Sequence, residues 1–266
     1  MPLYRRRSLV ALSTMLVGAS AIAVANAIAP VPAKAEPAPP PLSNDCQTPG
    51  VSISGAVPLP NVQRALRETK VVKILAIGAS ASAMMRRTGE NYFKVIEDVL
   101  ERTIPGVDVQ IIDRGVSGEL ARDAAERIKS EVALNRPDLV LWQVGSSDAV
   151  AGVPVDQFEA ELDDTVAWLR GHEIDVALVG LQYIRGLAKD VRYQAIRNAV
   201  NRVADRNQIL RISRYEATQV IEQAKAQKSG EAPNEFAISE QGHTCLSEYV
   251  VRAISSGVFL RPVRPR

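Results

Sequence analysis

Ser80 stands just past an apolar run, in "KILAIGASAS" (residues 73–82), with Gly78 before it and Ser82 after it. A serine at the turn from a strand into a helix is presented to solvent near the positive end of that helix. Two further short stretches carry the same kind of chemistry. "DRGVSGE" (113–119) brings Gly115 and Gly118, whose missing side chains let backbone N–H groups approach a ligand. "GSSD" (145–148) brings Gly145, Ser147 and Asp148, a small residue followed by short hydrogen-bonding side chains. A hydroxyl nucleophile with converging donors suits acyl transfer, because the donors hold the oxyanion of a tetrahedral intermediate. Each stretch alone is also an ordinary turn composition; the three together, in this order, are the signal. The hydroxyl still needs a base, and the chain has two histidines, His172 and His243. His172 follows Gly171 at a helix end, where a cap is the ordinary role. His243 closes "EQGH", three residues after Glu240, so it reads either as a substitute base or as a residue of the last helix.

These residues need a scaffold, and the apolar pattern supplies one. Strands are expected at 71–77, 107–112, 139–144, 176–181 and 209–212. Helices are expected at 91–102, 121–135, 192–205, 216–227 and 240–255. Another carries Phe158, Leu162, Val166 and Leu169 on one face and closes at Gly171. Residues 228–238 read as a polar loop. Strands alternating with helices imply a parallel sheet covered on both faces, and ligands of such sheets bind outside the carboxyl ends of the strands. The three stretches fall on that edge. Gln182 and Tyr183 end the fourth strand there and are candidates to line a pocket, and Arg185 could meet an anionic ligand. Asp163-Asp164 fits a solvated helix face and Trp142 fits the core.

In these residues the chain resembles the SGNH hydrolases, also called GDSL esterases and lipases, over about residues 70–252. The family's Gly-Asp-Ser is matched by "GAS", which places a nucleophile at Ser80. Its Asn-x-Gly-x-Ser-Gly is matched by "DRGVSG", with the oxyanion glycine at Gly118, and its Gly-x-Asn-Asp by "GSSD", with Ser147 at the oxyanion asparagine. Its Asp-x-x-His precedes the final helix. Aligning Ser239 and Gly242 puts the family's Asp on Asn234 and its His on Ala237. The resemblance implies a flavodoxin-like three-layer α/β/α sandwich with a five-stranded parallel sheet of order 2-1-3-4-5, and no cofactor or metal. It implies a small-molecule or glycan ester ligand, acyl or O-acetyl. Catalysis is expected to be impaired, because neither alanine nor asparagine can do the work of the imidazole and carboxylate. The alternatives are an active esterase using Ser80 with His243, and a binding protein without turnover.

The rest of the chain bounds where this takes place. Arg5, Arg6 and Arg7 precede an apolar run over 9–29, the order of a secretory signal, with small-residue sites ending at Ala27 and Ala35. Residues 1–35 are read as a signal peptide, 36–69 as a proline-rich linker and N-terminal segment, and 70–266 as the hydrolase-like domain. An exported, periplasmic or secreted protein follows, with no stable membrane insertion after cleavage. Removing residues 1–35 takes away three arginines and Lys34 and no acid, turning the formal charge from +2 to −2. With no basic stripe interleaved with aromatics, nucleic acid is not an expected partner. Cys46 and Cys245 are the only cysteines, and an oxidising compartment favours their pairing. Two Cys and two His at these spacings are no metal site.

Overall fold

The computed structural model describes residues 38–78, 92–229 and 236–260. The chain divides into two units, Met1–Glu36 and Pro37–Arg266; all described residues belong to the second. The expected signal segment, Ser80, Ser82 and Asn234 lie outside the described residues.

Five parallel strands form one sheet: β1 (Val71–Gly78), β2 (Asp108–Gly115), β3 (Leu139–Gln143), β4 (Asp175–Val179) and β5 (Leu210–Ile212). Their order is β2-β1-β3-β4-β5, as expected. The helices are α1 (Pro60–Glu68), α2 (Tyr92–Thr103), α3 (Ala121–Asn135), α4 (Ser146–Ala151), α5 (Val155–Gly171), α6 (Val191–Asn207), α7 (Arg214–Ser229) and α8 (Glu240–Phe259).

Residues alternate along the strands between two cores, so each face of the sheet has its own. Ile74, Leu139, Leu141, Ala177 and Ile212 pack with α1, α2 and α8. Leu75, Val140, Trp142, Val176 and Leu178 pack with α3, α5 and α6. Trp142 is fully buried, as its place in a central strand requires. The outer edge of β5 is covered by the N-terminal segment: Ser213 N–H donates to Ile53 O (2.7 Å), and Ser54 bridges Ile212 antiparallel. Covering that edge leaves fewer unpaired backbone groups for another chain to pair with.

The segment read as linker and N-terminal stretch lies on this unit. Arg252 Nη1 donates to Pro40 O (2.7 Å), and Leu42 packs against the core. Cys46 and Cys245 are joined in a disulfide across 199 residues, fastening the segment to α8. Helix α1, unforeseen in the sequence, follows with Pro60 at its first position, where a missing N–H costs nothing. Its free N-terminal N–H groups are taken by Asp175 at the start of β4: Asn61 N and Val62 N both donate to Oδ2 at 2.9 Å.

Three local expectations need correction. "DRG" is strand, not loop: β2 runs to Gly115, which pairs with Gly78. Helix α5 does not end on a left-handed Gly171; Glu173 takes the positive φ (57°). His172 caps that end, its N–H donating to Trp168 O (3.2 Å) and its Nδ1–H to the same carbonyl (2.7 Å). The stretch 228–238 is not all loop: α7 runs to Ser229 and Phe236–Ile238 form a 3-10 turn.

Candidate active site

The carboxyl edge of the sheet is tied together strand by strand. At β1, Gly78 has φ +100°, and a Cβ there would sit 1.9 Å from Gln143 O. Only glycine lets β1 and β3 end this close together. Val116 N–H donates to Gly78 O (3.2 Å), bringing the connection after β2 against the same point. Gly118 also has a positive φ (+77°), with no atom of a described residue within 4 Å of where a Cβ would be. Its backbone is therefore left-handed.

That connection is held by one side chain. Arg127 of α3 donates from Nε and Nη2 to the two oxygens of Glu119, each at 2.7 Å, and from Nη2 to Arg114 O at 2.7 Å. The Glu119 carboxylate is almost fully covered, so this is a bidentate pair in a shielded place.

After β3, Gly145 (φ +100°) turns the chain into α4. A Cβ on it would meet Leu181 Cδ1 at 2.6 Å. Asp148, in the first turn of α4, is buried and accepts Ala121 N–H (2.9 Å), the first residue of α3. Burial pushes its carboxyl above the usual range, opposed by N–H groups including that of Gly145. An acid at this helical position facing the backbone N–H of the capping residue is half of a capping box. Ser147, expected at the oxyanion position, is half-buried and its hydroxyl has no hydrogen bond to a described residue. Its neighbour Ser146 accepts Gln182 N–H on Oγ (3.1 Å), joining β3's turn to β4's.

Gln182 also bridges to β5. Its carbonyl accepts the Tyr193 hydroxyl, and its Oε1 receives Arg214 Nη2 at 3.4 Å. Tyr183 is buried and packs edge-on to Tyr215 at 5.2 Å, so its ring belongs to the core. Arg185 pairs with the buried Glu222 (3.2 Å), which gives its charge a structural partner.

Arg214, which nothing in the sequence singled out, is 3% exposed and opens α7, two residues after β5. Its Nη2 also donates to Ala237 O at 3.3 Å. Ala237, aligned with the family's histidine, is therefore placed by its carbonyl beside a buried cation, and its methyl group is covered. The turn that carries it presses on α8: a Cβ at Gly242 would lie 1.9 Å from Phe236 O. Ser239 caps α8, its Oγ accepting Gly242 N–H (3.1 Å).

His243 follows in the first turns of α8. Its ring is buried, and Nδ1–H donates to Ser239 O at 2.8 Å. A carbonyl only accepts, so this bond fixes the proton on Nδ1 and leaves Nε2 as the acceptor of the neutral ring. Burial, and then the Arg214 charge, pull the pKa below the ordinary histidine value, against the pull of the Ser239 bond. The shift favours the neutral ring, in which Nε2 is the nitrogen able to take a proton.

The structure thus brings Gly78, Gly115, Gly118, Gly145, Ser147, Asp148, Gln182, Ala237 and His243 to one edge of the sheet, in the connections after β1 to β5. Asp163 and Asp164 stand apart on α5, where Asp163 pairs with Arg206 (2.8 Å). Among the described residues no group of histidine, cysteine and acidic side chains could hold a metal ion.

This arrangement can be set beside known proteins. Residues 45–260 match the non-GDSL lipase-like family. The chain belongs to that family. Among solved structures it is similar to Axe2, an acetylxylan esterase from Geobacillus stearothermophilus, with 21% identity and a TM-score of 0.57, covering 69% of this chain and 94% of that one. It is also similar to LAE5, an alpha/beta hydrolase enzyme from the metagenome of Lake Arreo, Spain, with 19% identity and a TM-score of 0.55, covering 71% and 97%. At these identities the likeness is one of fold. No curated protein matches. The family is a lipase-like one, and the fold is shared with these two hydrolase structures.

Proposed function

We propose that this member of the non-GDSL lipase-like family is an exported protein that binds an acyl or O-acetyl ester, carbohydrate-linked, at the carboxyl edge of its sheet, and that it hydrolyses this ester poorly. Support for the pocket comes from the edge itself, with Gly118 left-handed and Ser147 carrying a hydroxyl not engaged by a described residue, and from the sequence, where Ser80 precedes both in the family's motif order. Support for the ester class comes from Axe2, whose name gives it acetylxylan as substrate. The observation that carries the impairment is Ala237. It is buried, its carbonyl is bonded to Arg214, and it stands where the motif requires an imidazole. Axe2 variants described as catalytic mutants replace a histidine and a serine by alanine.

One observation favours a second reading, an active esterase with His243 as base. The Nδ1–H bond to Ser239 O gives its neutral ring the tautomer a general base needs, with a backbone carbonyl in the place of the usual carboxylate. The chain's other histidine, His172, caps α5 through Trp168 O.

The test is hydrolysis of p-nitrophenyl acetate and acetylated xylo-oligosaccharides by the mature protein, Ser80→Ala, His243→Gln and the pair Asn234→Asp with Ala237→His. The expected result is a wild-type rate within twofold of Ser80→Ala, and a gain of about 10²-fold or more in the pair, the usual worth of a positioned base. Wild-type turnover lost in both Ser80→Ala and His243→Gln would establish the second reading instead.

A further inference from the structure

Six large apolar side chains are exposed among the described residues. Val150, Ile184 and Val191 lie in connections on the carboxyl edge of the sheet. Val191, the first residue of α6, is 81% exposed, and Val150, near the end of α4, is 71% exposed. The two helix ends are neighbours: a Cβ on Gly152 would lie 3.3 Å from Arg192 Nη1. Val150 is two residues from that contact and Val191 is one. Ile184 opens the 3-10 turn that feeds α6, where Leu187 N–H returns to Ile184 O (2.9 Å) and Asp190 N–H to Leu187 O (3.0 Å).

The same stretch is basic. Between 184 and 192 stand Arg185, Lys189 and Arg192 against a single acid, Asp190. Asp190 is occupied, its side chain accepting Tyr193 N–H at 2.8 Å as the cap of α6. Arg185 is partly neutralised by Glu222. Lys189 and Arg192 form no ion pair among the described residues. Two exposed valines and an isoleucine beside Lys189 and Arg192 are complementary to a bilayer rich in anionic phospholipid, whose headgroups attract Lys and Arg and whose boundary takes up apolar side chains.

We propose that the 184–192 segment, with Val150 beside it, is a docking surface for anionic membranes, binding peripherally. No helix among the described residues is long and apolar enough to cross a membrane, so this surface lies on the bilayer. The proposal is independent of turnover, since none of these residues belongs to the candidate acyl-transfer machinery.

Co-sedimentation with vesicles tests it, using the exported protein after its N-terminus has been determined. Wild type is expected to bind equimolar phosphatidylglycerol and phosphatidylcholine vesicles and not phosphatidylcholine alone. Each cation contributes about fivefold to such partitioning. Lys189→Glu with Arg192→Glu should therefore lower it by about 25-fold or more. Val150→Ser with Val191→Ser should weaken it severalfold. Leu134→Ser, which removes an exposed side chain (79%) near the end of α3, should bind as wild type. All variants keep their thermal midpoint if they fold. Equal binding by wild type and the charge-reversed variant overturns the proposal. So does loss in the charge variant with none in the valine variant, which would mark the segment as a site for soluble polyanions, and so does a dimer that the valine variant converts to monomer.

Discussion

Asp175 offers a measurement in which sign and size both follow from geometry. It is the first residue of β4, 7% exposed, and it caps a helix distant in sequence: Oδ2 accepts Asn61 N and Val62 N at 2.9 Å, and Oδ1 accepts Asn61 Nδ2 at 3.0 Å. Burial outweighs those three donors and raises the carboxyl from 3.8 to about 6. Between these values the folded chain holds a proton that the unfolded chain has released. Asp175's contribution to stability therefore falls as pH rises from about 4 to about 6, and is flat above. The gap corresponds to at most about 3 kcal/mol. Asp175→Asn removes the titration. It keeps an acceptor for the α1 N–H groups and turns the second oxygen into a donor facing Asn61 Nδ2, a loss of about 1 kcal/mol. With these values the variant should be slightly less stable than wild type near pH 4, about equal near pH 4.5 and more stable by about 2 kcal/mol at pH 7. Asp175→Ala leaves the N-terminus of α1 uncapped at every pH, at a cost of about 2–4 kcal/mol. Urea unfolding of the three proteins from pH 4 to 7.5 reads this directly. A difference between wild type and Asp175→Asn that stays constant with pH refutes the reasoning.

The remaining predictions concern the candidate site's frame. Gly145→Ala meets both a left-handed φ and Leu181 at 2.6 Å, so it should cost about 2–5 kcal/mol. Gly118→Ala meets the φ and no atom of a described residue, so it should cost about 1–2 kcal/mol; urea midpoints of the two variants should rank accordingly. Arg127→Met leaves the covered Glu119 carboxylate without its partner and should destabilise by about 2–4 kcal/mol, less than a fully buried pair because the arginine is partly exposed. Amide exchange at Gly118 should rise more in that variant than exchange in the β3 core, and Arg127→Met with Glu119→Leu should recover part of the stability.

Much of this fold was readable because buried parallel strands are short and wholly apolar. "LVLW" in β3 and "VALV" in β4 admit few other readings, and α3 has the bounds its pattern predicted. What escaped notice had a different origin. Helix α1 is nine residues long, too short for periodicity to stand out, and its cap comes from Asp175, 114 residues away from Asn61. Helix α4 hides in a serine-rich turn and is stabilised by Asp148. β2 continues through "DRG" because Gly115 pairs with Gly78, a register that no local composition encodes. Arg214 escaped because a lone arginine between a strand and a helix looks like surface; only the tertiary fold brings Gln182 and the Ala237 carbonyl to it.

The surviving motif letters therefore differ in what they say about catalysis. Gly78 and Gly145 are required by the fold alone, since both have a left-handed φ and a Cβ would collide with Gln143 O of β3 at the first and with Leu181 Cδ1 at the second. Asp148 is required as the acceptor at the start of α3. Ser239 and Gly242 are required where α8 begins, one as its cap and the other by contact with Phe236 O. A chain that kept the fold and abandoned hydrolysis would still hold all five. Ser147 is of another kind. Its hydroxyl bonds to no described residue, so helix capping and strand packing place no demand on it. The case for a ligand at this edge consequently weighs more on Ser147 and the left-handed Gly118 backbone than on the better-matched letters around them. The proposed loss of turnover rests on Ala237, whose covered methyl group aligns with the motif's imidazole.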